Sequence, residues 1–236
     1  MGKVKVVQCW DDGVINDLRL AELLRKYNAK ATFNLNPGLM KADERIPDGW
    51  AAKGQCGGHH GYFSGKLSLK DLPEVFDGFE VASHCWKHEN ANLVSADEFI
   101  KSAIDARNYL EDVFQRPCPG FAWPYGAYTP ETCAGLREAG FAYGRTTVNV
   151  EFVTECEDAM ALHTNCHFLN REFYNLYEKA KECGVFYFWG HSYEICHYDK
   201  YWEQLEMKLQ FINEDPDAEW ADVKDIAPLC DGKTKK

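Results

Sequence analysis

The chain has no apolar run approaching the roughly eighteen residues that a membrane-crossing helix requires, no cluster of lysine and arginine, no Cys-x-x-C and no internal repeat. Each absence removes a class of function. A membrane partner is not expected, and neither is nucleic acid, because the net charge is −11 and the basic residues are spread along the chain. Met1 is followed by GKVKVVQ, which has no charged start leading into an apolar stretch, so no export signal is expected. The ten cysteines then read as reduced thiols of a cytoplasmic protein. Cys9, Cys183 and Cys196 sit in or beside apolar segments, where a thiol behaves as a small hydrophobe. The acid excess serves solubility, and the sequence leaves the oligomeric state open.

What is present is a regular alternation. With 236 residues and 45% apolar composition, one well-buried core is expected, spanning residues 1–228 and followed by a polar tail, 229–236. VKVVQCW reads as a buried strand, INDLRLAELLRKYN as an amphipathic helix and ATFNLNPGL as a second strand. The rhythm recurs through FEVASH, a helix in DEFIKSAIDARNYLEDVF, GFAWPYG, a helix in PETCAGLREAG, FAYGRTT, a helix in NREFYNLYEKAKECG, VFYFWGH, a helix in KYWEQLEMKLQFINE and a last short strand around Glu219 to Val223. Strands alternating with helices predict an α/β fold with a parallel sheet or barrel, whose site collects at the strand C-terminal ends. Residues 37–78, rich in glycine and broken by Pro37, Pro47 and Pro73, interrupt the pattern and read as a lid, a binding insertion or a disordered excursion.

The residues that carry chemistry end three of the strand segments. Asp11 and Asp12 close the first, His84 and His88 follow FEVAS, and His191 closes VFYFWG. A carboxylate with two imidazoles makes a three-ligand metal site with open positions, and the spare Asp and spare His then serve as base and acid in metal-assisted hydrolysis. Each piece also has a plainer reading. Asp-Gly is an ordinary turn, and histidines four residues apart are commonly a solvated stripe on a helix. Convergence of three strand ends favours the metal. His163 and His167 have the same spacing without the strand-to-helix setting and read as structural, His59 and His60 as a solvated loop, and His197 as undistinguished. Trp10, Trp86, Trp123 and Trp189 suit either a packed interior or a mouth that stacks on the C–H face of a sugar.

WDDG, SHCWKH, FAWPYG and FWGHS, in this order, resemble the polysaccharide deacetylase family, carbohydrate esterase family four, from Val4 to about Val223. The resemblance implies a distorted (β/α) barrel of the seven-stranded type. It implies a divalent metal, zinc by preference with cobalt, nickel or iron as alternatives, held by Asp12, His84 and His88. Asp11 would be the general base and His191 the general acid, and the backbone N–H of Tyr125 would face the oxyanion, with Trp123 beside it. The family's usual arginine, two residues before the proline of the Pro-Tyr motif, is here Ala122. Arg145, near the end of the next strand, is expected to reach the base carboxylate instead. The family's downstream Asp-x-x-x-Trp motif is not recognisable, so the substrate is expected to differ from chitin and peptidoglycan. The expected activity is removal of an acyl group, N-acetyl above all, from an amino sugar, small saccharide or sugar conjugate. A cytoplasmic amidohydrolase on a non-sugar amide, a barrel that binds carbohydrate without turnover, and a non-haem iron oxygenase are the other readings.

Overall fold

A computed structural model describes residues 3–50 and 61–230. His59, His60 and all but two residues of the expected tail lie outside the described residues. The strands in chain order are β1 (Val4–Asp11), β2 (Thr32–Leu35), β3 (Gly49–Trp50), β4 (Tyr62–Phe63), β5 (Glu80–Ser83), β6 (Gly120–Ala122), β7 (Tyr143–Asn149), β8 (Leu162–Thr164), β9 (Cys166–His167), β10 (Val185–Gly190) and β11 (Ala218–Ala221). The helices are α1 (Asp17–Lys26), α2 (Leu72–Val75), α3 (Ala96–Phe114), α4 (Pro130–Glu138), α5 (Phe173–Ala180) and α6 (Asp199–Glu214).

The main sheet is parallel throughout, in the spatial order β8-β7-β6-β5-β2-β1-β10-β9, with β11 also on β1. Its two outer strands, β8 and β9, are consecutive in the chain and separated only by Asn165. The Asn165 N–H donates to Tyr187 O at 2.7 Å, and its side-chain oxygen accepts the Tyr187 N–H at 2.8 Å. One bent segment therefore pairs with β7 on one side and β10 on the other, nearly closing a barrel. The sheet has nine strands where the resemblance implied seven. Taking β8 and β9 as one stave, with β11 set aside as a short strand beside the start of β1, recovers seven.

Alternation along the strands sorts side chains into two layers. Val6, Trp10, Phe33, Leu35, Val81, Phe186 and Phe188 point out against a core shared with α1, α5 and α6. Val7, Cys9, Tyr143, Val185 and Tyr187 belong to a second buried cluster inside the barrel. Helix α3 starts where Ser95 accepts the Glu98 N–H and buries Phe99, Ala103, Ala106 and Leu110 on one face. No described helix is long and apolar enough to cross a membrane.

The described parts of the 37–78 stretch, 37–50 and 61–78, have more order than their composition suggests. β3 and β4 form an antiparallel pair, Ile46 bridges Lys66, and α2 follows. Leu67, Leu72 and Phe76 are completely buried in the outer core, so residues 67–76 pack as part of the barrel wall.

Candidate active site

The inward register of the strands delivers the site. Asp11 continues the inward series Val7 and Cys9; His84 follows Glu80 and Ala82; Arg145 follows Tyr143; His191 follows Val185, Tyr187 and Trp189. These residues meet at the C-terminal mouth, around a cavity of about 490 Å³ that Asp12, His88, Trp123, Tyr125, Trp189 and Tyr193 also line.

Asp12 and His88 leave the regular backbone to get there. Asp12 has φ +83° and His88 φ +60°, with Cys85 and Tyr125 at +60° beside them. Non-glycine residues in the left-handed region each cost on the order of 1–3 kcal/mol and persist only where the surroundings hold them. For Asp12 those surroundings are Asn34 O, which accepts its N–H at 2.9 Å, and the amide of Asn36, which donates to Oδ1 at 2.8 Å. The turn at Asp12 and Gly13 (φ +59°) is what brings two consecutive carboxylates to one cavity.

Asp12, His84 and His88 place their donor atoms within 4.8 Å of one another. Nε2 of His84 lies 3.9 Å and Nε2 of His88 3.8 Å from Asp12 Oδ1. His84 Nδ1 is 2.8 Å from Ala122 O, and a carbonyl only accepts, so the ring proton is on Nδ1 and the Nε2 lone pair faces the carboxylate. Burial pushes the His84 pKa down to about 3, against the pull of both aspartates, and burial also lowers that of His88. Burial works against the charge of Asp12 as well, but Lys66 and then His191 outweigh it and hold its carboxyl well below the usual range. The Nε2 lone pair of His84 and the ionised Asp12 carboxylate thus face one another with no proton between them. That arrangement fits a cation bound by one carboxylate oxygen and two neutral imidazoles.

Asp11 lies beside this group with a different set of partners. Arg145, 1% exposed at its side chain, donates Nη2 to both carboxylate oxygens, and Asn34 Nδ2 donates to Oδ1 at 2.7 Å. Burial would raise the Asp11 pKa, yet Arg145, with His191 and the Asn34 hydrogen bond, brings it below its ordinary value. The position of Arg145 has a simple cause: in the β6–β7 register it is the partner of Ala122. The guanidinium therefore reaches Asp11 from the stave next to the one where the family pattern has its arginine.

His191 Nε2 lies 3.8 Å from Asp11 Oδ2 and 3.9 Å from Asp12 Oδ2. Burial lowers its pKa, but Glu194 and the two aspartates prevail and raise it to about 9. Glu194 Oε2 accepts the His191 backbone N–H at 2.9 Å and stands 3.4 Å from its Nδ1. His167, read as structural from its spacing, is at the site's edge. Its Nδ1 accepts the Leu169 N–H at 3.3 Å, so its proton is on Nε2 and donates to Glu194 at 2.9 Å. The donor atoms of His167, His191 and Glu194 also lie within 4.8 Å of one another, but there a hydrogen bond already joins two of the three. The Asp12 group lacks any such pairing among its ligand atoms, and it is the better cation site.

Trp123 is completely buried, donates Nε1 to Met160 O at 2.8 Å and packs on Phe99. Trp189 lies under the Arg145 guanidinium at 5.1 Å, and Tyr125, 66% exposed, sets its ring edge-on to His88 at 4.4 Å. Trp10 belongs to the outer core, with Nε1 donating to Gln8. His163 bonds Thr146, and His197 stacks on Trp50, both apart from the Asp12 group. Arg145 Nε and Trp189 Nε1 are buried without a hydrogen-bond partner among the described residues. A buried polar atom left without a partner costs about 1–3 kcal/mol.

A family model described as polysaccharide deacetylase matches residues 1–144. The chain belongs to the polysaccharide deacetylase family. The matched segment holds Asp11, Asp12, His84 and His88 and stops one residue short of Arg145. A putative polysaccharide deacetylase from Mycobacterium smegmatis superposes with a TM-score of 0.64 at 14% identity, over 97% of this chain and 90% of that one. A family 4 acetyl xylan esterase from Clostridium thermocellum, in complex with a cobalt ion, superposes with a TM-score of 0.54 at 14% identity, over 95% and 91%. The deacetylase PplD of Streptococcus pyogenes, in complex with acetate, is 24% identical over 60% of this chain; that match spans just over half of its own length, 55%, with a TM-score of 0.47. The two longer matches share the barrel described above. No curated protein matches the chain.

Proposed function

We propose that this deacetylase-family protein removes an N-acetyl group from an amino sugar or small glycan, with a divalent cation, zinc by preference, held by Asp12, His84 and His88. The observation that carries the reading is the lone pair of His84 Nε2, fixed by Ala122 O and turned toward a carboxylate, with Asp11 and His191 on the open side. Membership of the family and the cobalt ion of the clostridial esterase support the choice of reaction and cofactor.

When bound, such a cation would polarise the acyl carbonyl and lower the pKa of a water towards ~7. The chain's own groups do the rest. Asp11 takes the water proton at Oδ2, while Arg145 and Asn34 fix the carboxylate and keep it ionised. His191, with its raised pKa, carries a proton at Nε2 for the departing nitrogen, which could not leave as an anion. The Tyr125 N–H is offered to the developing oxyanion, at a turn held in the left-handed region. Trp189 and Tyr125 give the mouth aromatic walls suited to a sugar ring.

The test is acetate release from N-acetylglucosamine oligomers by protein stripped with a chelator and then reloaded with zinc or cobalt. Activity is expected to vanish on stripping and return on reloading. Folded, zinc-loaded protein that cleaves a non-sugar amide but leaves these oligomers intact would overturn the substrate class. Activity indifferent to the chelator would overturn the role of the cation.

A further inference from the structure

Beside the Asp12 carboxylate stands an ammonium group that the deacetylation scheme does not use. Lys66 donates from Nζ to Asp12 O at 2.7 Å and to Asn36 Oδ1 at 3.1 Å, and lies 3.8 Å from Asp12 Oδ1. Its side chain is 14% exposed. Asn36 passes the effect on, because the amide whose oxygen accepts from Lys66 donates through Nδ2 to Asp12 Oδ1.

The chain invests structure in this placement. Ile46 and Lys66 exchange backbone hydrogen bonds, each 2.9 Å. Gly65, at φ +61°, passes so near Ile46 O and Asp48 N that a Cβ would stand 2.6 and 2.7 Å from them. The next residue, Leu67, is completely buried and donates its N–H to Gly13 O at 3.1 Å, in the turn that carries Asp12. The ammonium is thus fixed against the one anionic member of the Asp12 group, 3.8 Å from the same Oδ1 that the Nε2 atoms of His84 and His88 face.

We infer that Lys66 is a positioning residue that tunes Asp12 as a ligand: it holds the strained Asp12 turn and withdraws electron density from the carboxylate, so that the site binds a divalent cation less tightly and leaves it a stronger Lewis acid. This inference rests on the cation site proposed above. The physical argument is a comparison of two charges. A cation at Asp12 gains from the carboxylate and is opposed by the ammonium a few ångströms from it, and both act in a site where burial weakens screening. Groups in contact with a ligand commonly change metal affinity 10- to 100-fold; an ammonium beside a ligating carboxylate opposes a second cation there by direct repulsion.

Three full-length proteins make the test: wild type, Lys66→Met, which keeps the length and removes the charge, and Lys66→Arg, which keeps the charge. Each is stripped of metal and titrated with zinc against a competing chelator, with circular dichroism to confirm the fold. Lys66→Met is expected to bind zinc about tenfold more tightly than wild type and, saturated with zinc, to turn over more slowly; Lys66→Arg is expected to stay within about twofold of wild type in affinity. If the Met variant does not fold, Lys66→Gln, which can still donate to Asp12 O, takes its place with the same expected direction. A folded neutral variant whose zinc affinity is equal to or weaker than that of wild type overturns the inference. Wild-type protein that takes up no zinc at all overturns the cation site first, and this inference with it.

Discussion

His84 and His88 stand four residues apart, and so do His163 and His167, yet the two pairs end in different chemistry. The first pair follows β5 into a turn where Cys85 and His88 adopt left-handed backbone, which folds the chain back and brings the two rings to 4.6 Å, both facing Asp12. The second pair lies on the two arms of the bent stave, with Asn165 between them. Four residues of extended chain cover about 13 Å. His163 accordingly meets Thr146, while His167 meets Glu194. Spacing alone does not make a ligand pair. The backbone turn that reverses the chain, and the carboxylate waiting opposite, make the difference.

The comparison breaks most visibly by substitution. Asp12→Ala is expected to weaken zinc binding by at least ~100-fold, whereas His163→Ala should bind as wild type does, both read by chelator competition. Equal losses in the two would erase the distinction drawn between the pairs. Next in size is Asp11→Asn, expected to keep its zinc and lose about 10²–10⁴ in kcat. Arg145→Ala leaves that carboxylate buried without its partner, and is expected to cost about 3–5 kcal/mol in urea unfolding as well as turnover. A smaller effect sharpens the role of His167. Removing its bond to Glu194 by His167→Ala should lower kcat about tenfold with zinc affinity unchanged, because only the group beside His191 is disturbed.

The smallest effect concerns Asp17, a buried carboxyl that accepts from Val14 N–H at 3.1 Å and Ser192 Oγ at 2.6 Å and so ties the turn after Asp12 to the residue after His191. Burial outweighs these bonds and raises its pKa to about 7. A folded pKa above the unfolded value of 3.8 means the protonated acid stabilises the fold fully below about pH 4, and that stabilisation is lost as pH climbs through 7. Asp17→Asn has nothing to lose over that window. Its unfolding free energy relative to wild type, read by urea denaturation, is expected to rise between pH 4 and 7 and level off above, a difference on the order of 1–4 kcal/mol at pH 8. A difference independent of pH would show that Asp17 stays ionised in the fold.

Much of this was readable from residues in order. The inward parity of β1, β5 and β10 is written in VKVVQCWDD, FEVASH and VFYFWGH, so the strands and the residues at their ends follow from alternation. Arg145 was within reach too, because parallel strands place residues of adjacent staves side by side. Lys66, Asn34, Asn36 and Glu194 were not. Each acts through a partner distant in sequence or through a turn whose φ sign no composition reveals, and Lys66 sits in the glycine-rich stretch whose path depends on the Ile46 bridge. The split of one stave at Asn165 was equally hidden, since a single amide replaces backbone pairing there.

The most direct measurement is anomalous diffraction from a crystal of the zinc-loaded protein. One peak is predicted, bonded to His84 Nε2, His88 Nε2 and an Asp12 carboxylate oxygen, with Asp11 still on Arg145. A peak among His167, His191 and Glu194 with the Asp12 group vacant would contradict the assignment of the site, and with it the roles given to both aspartates.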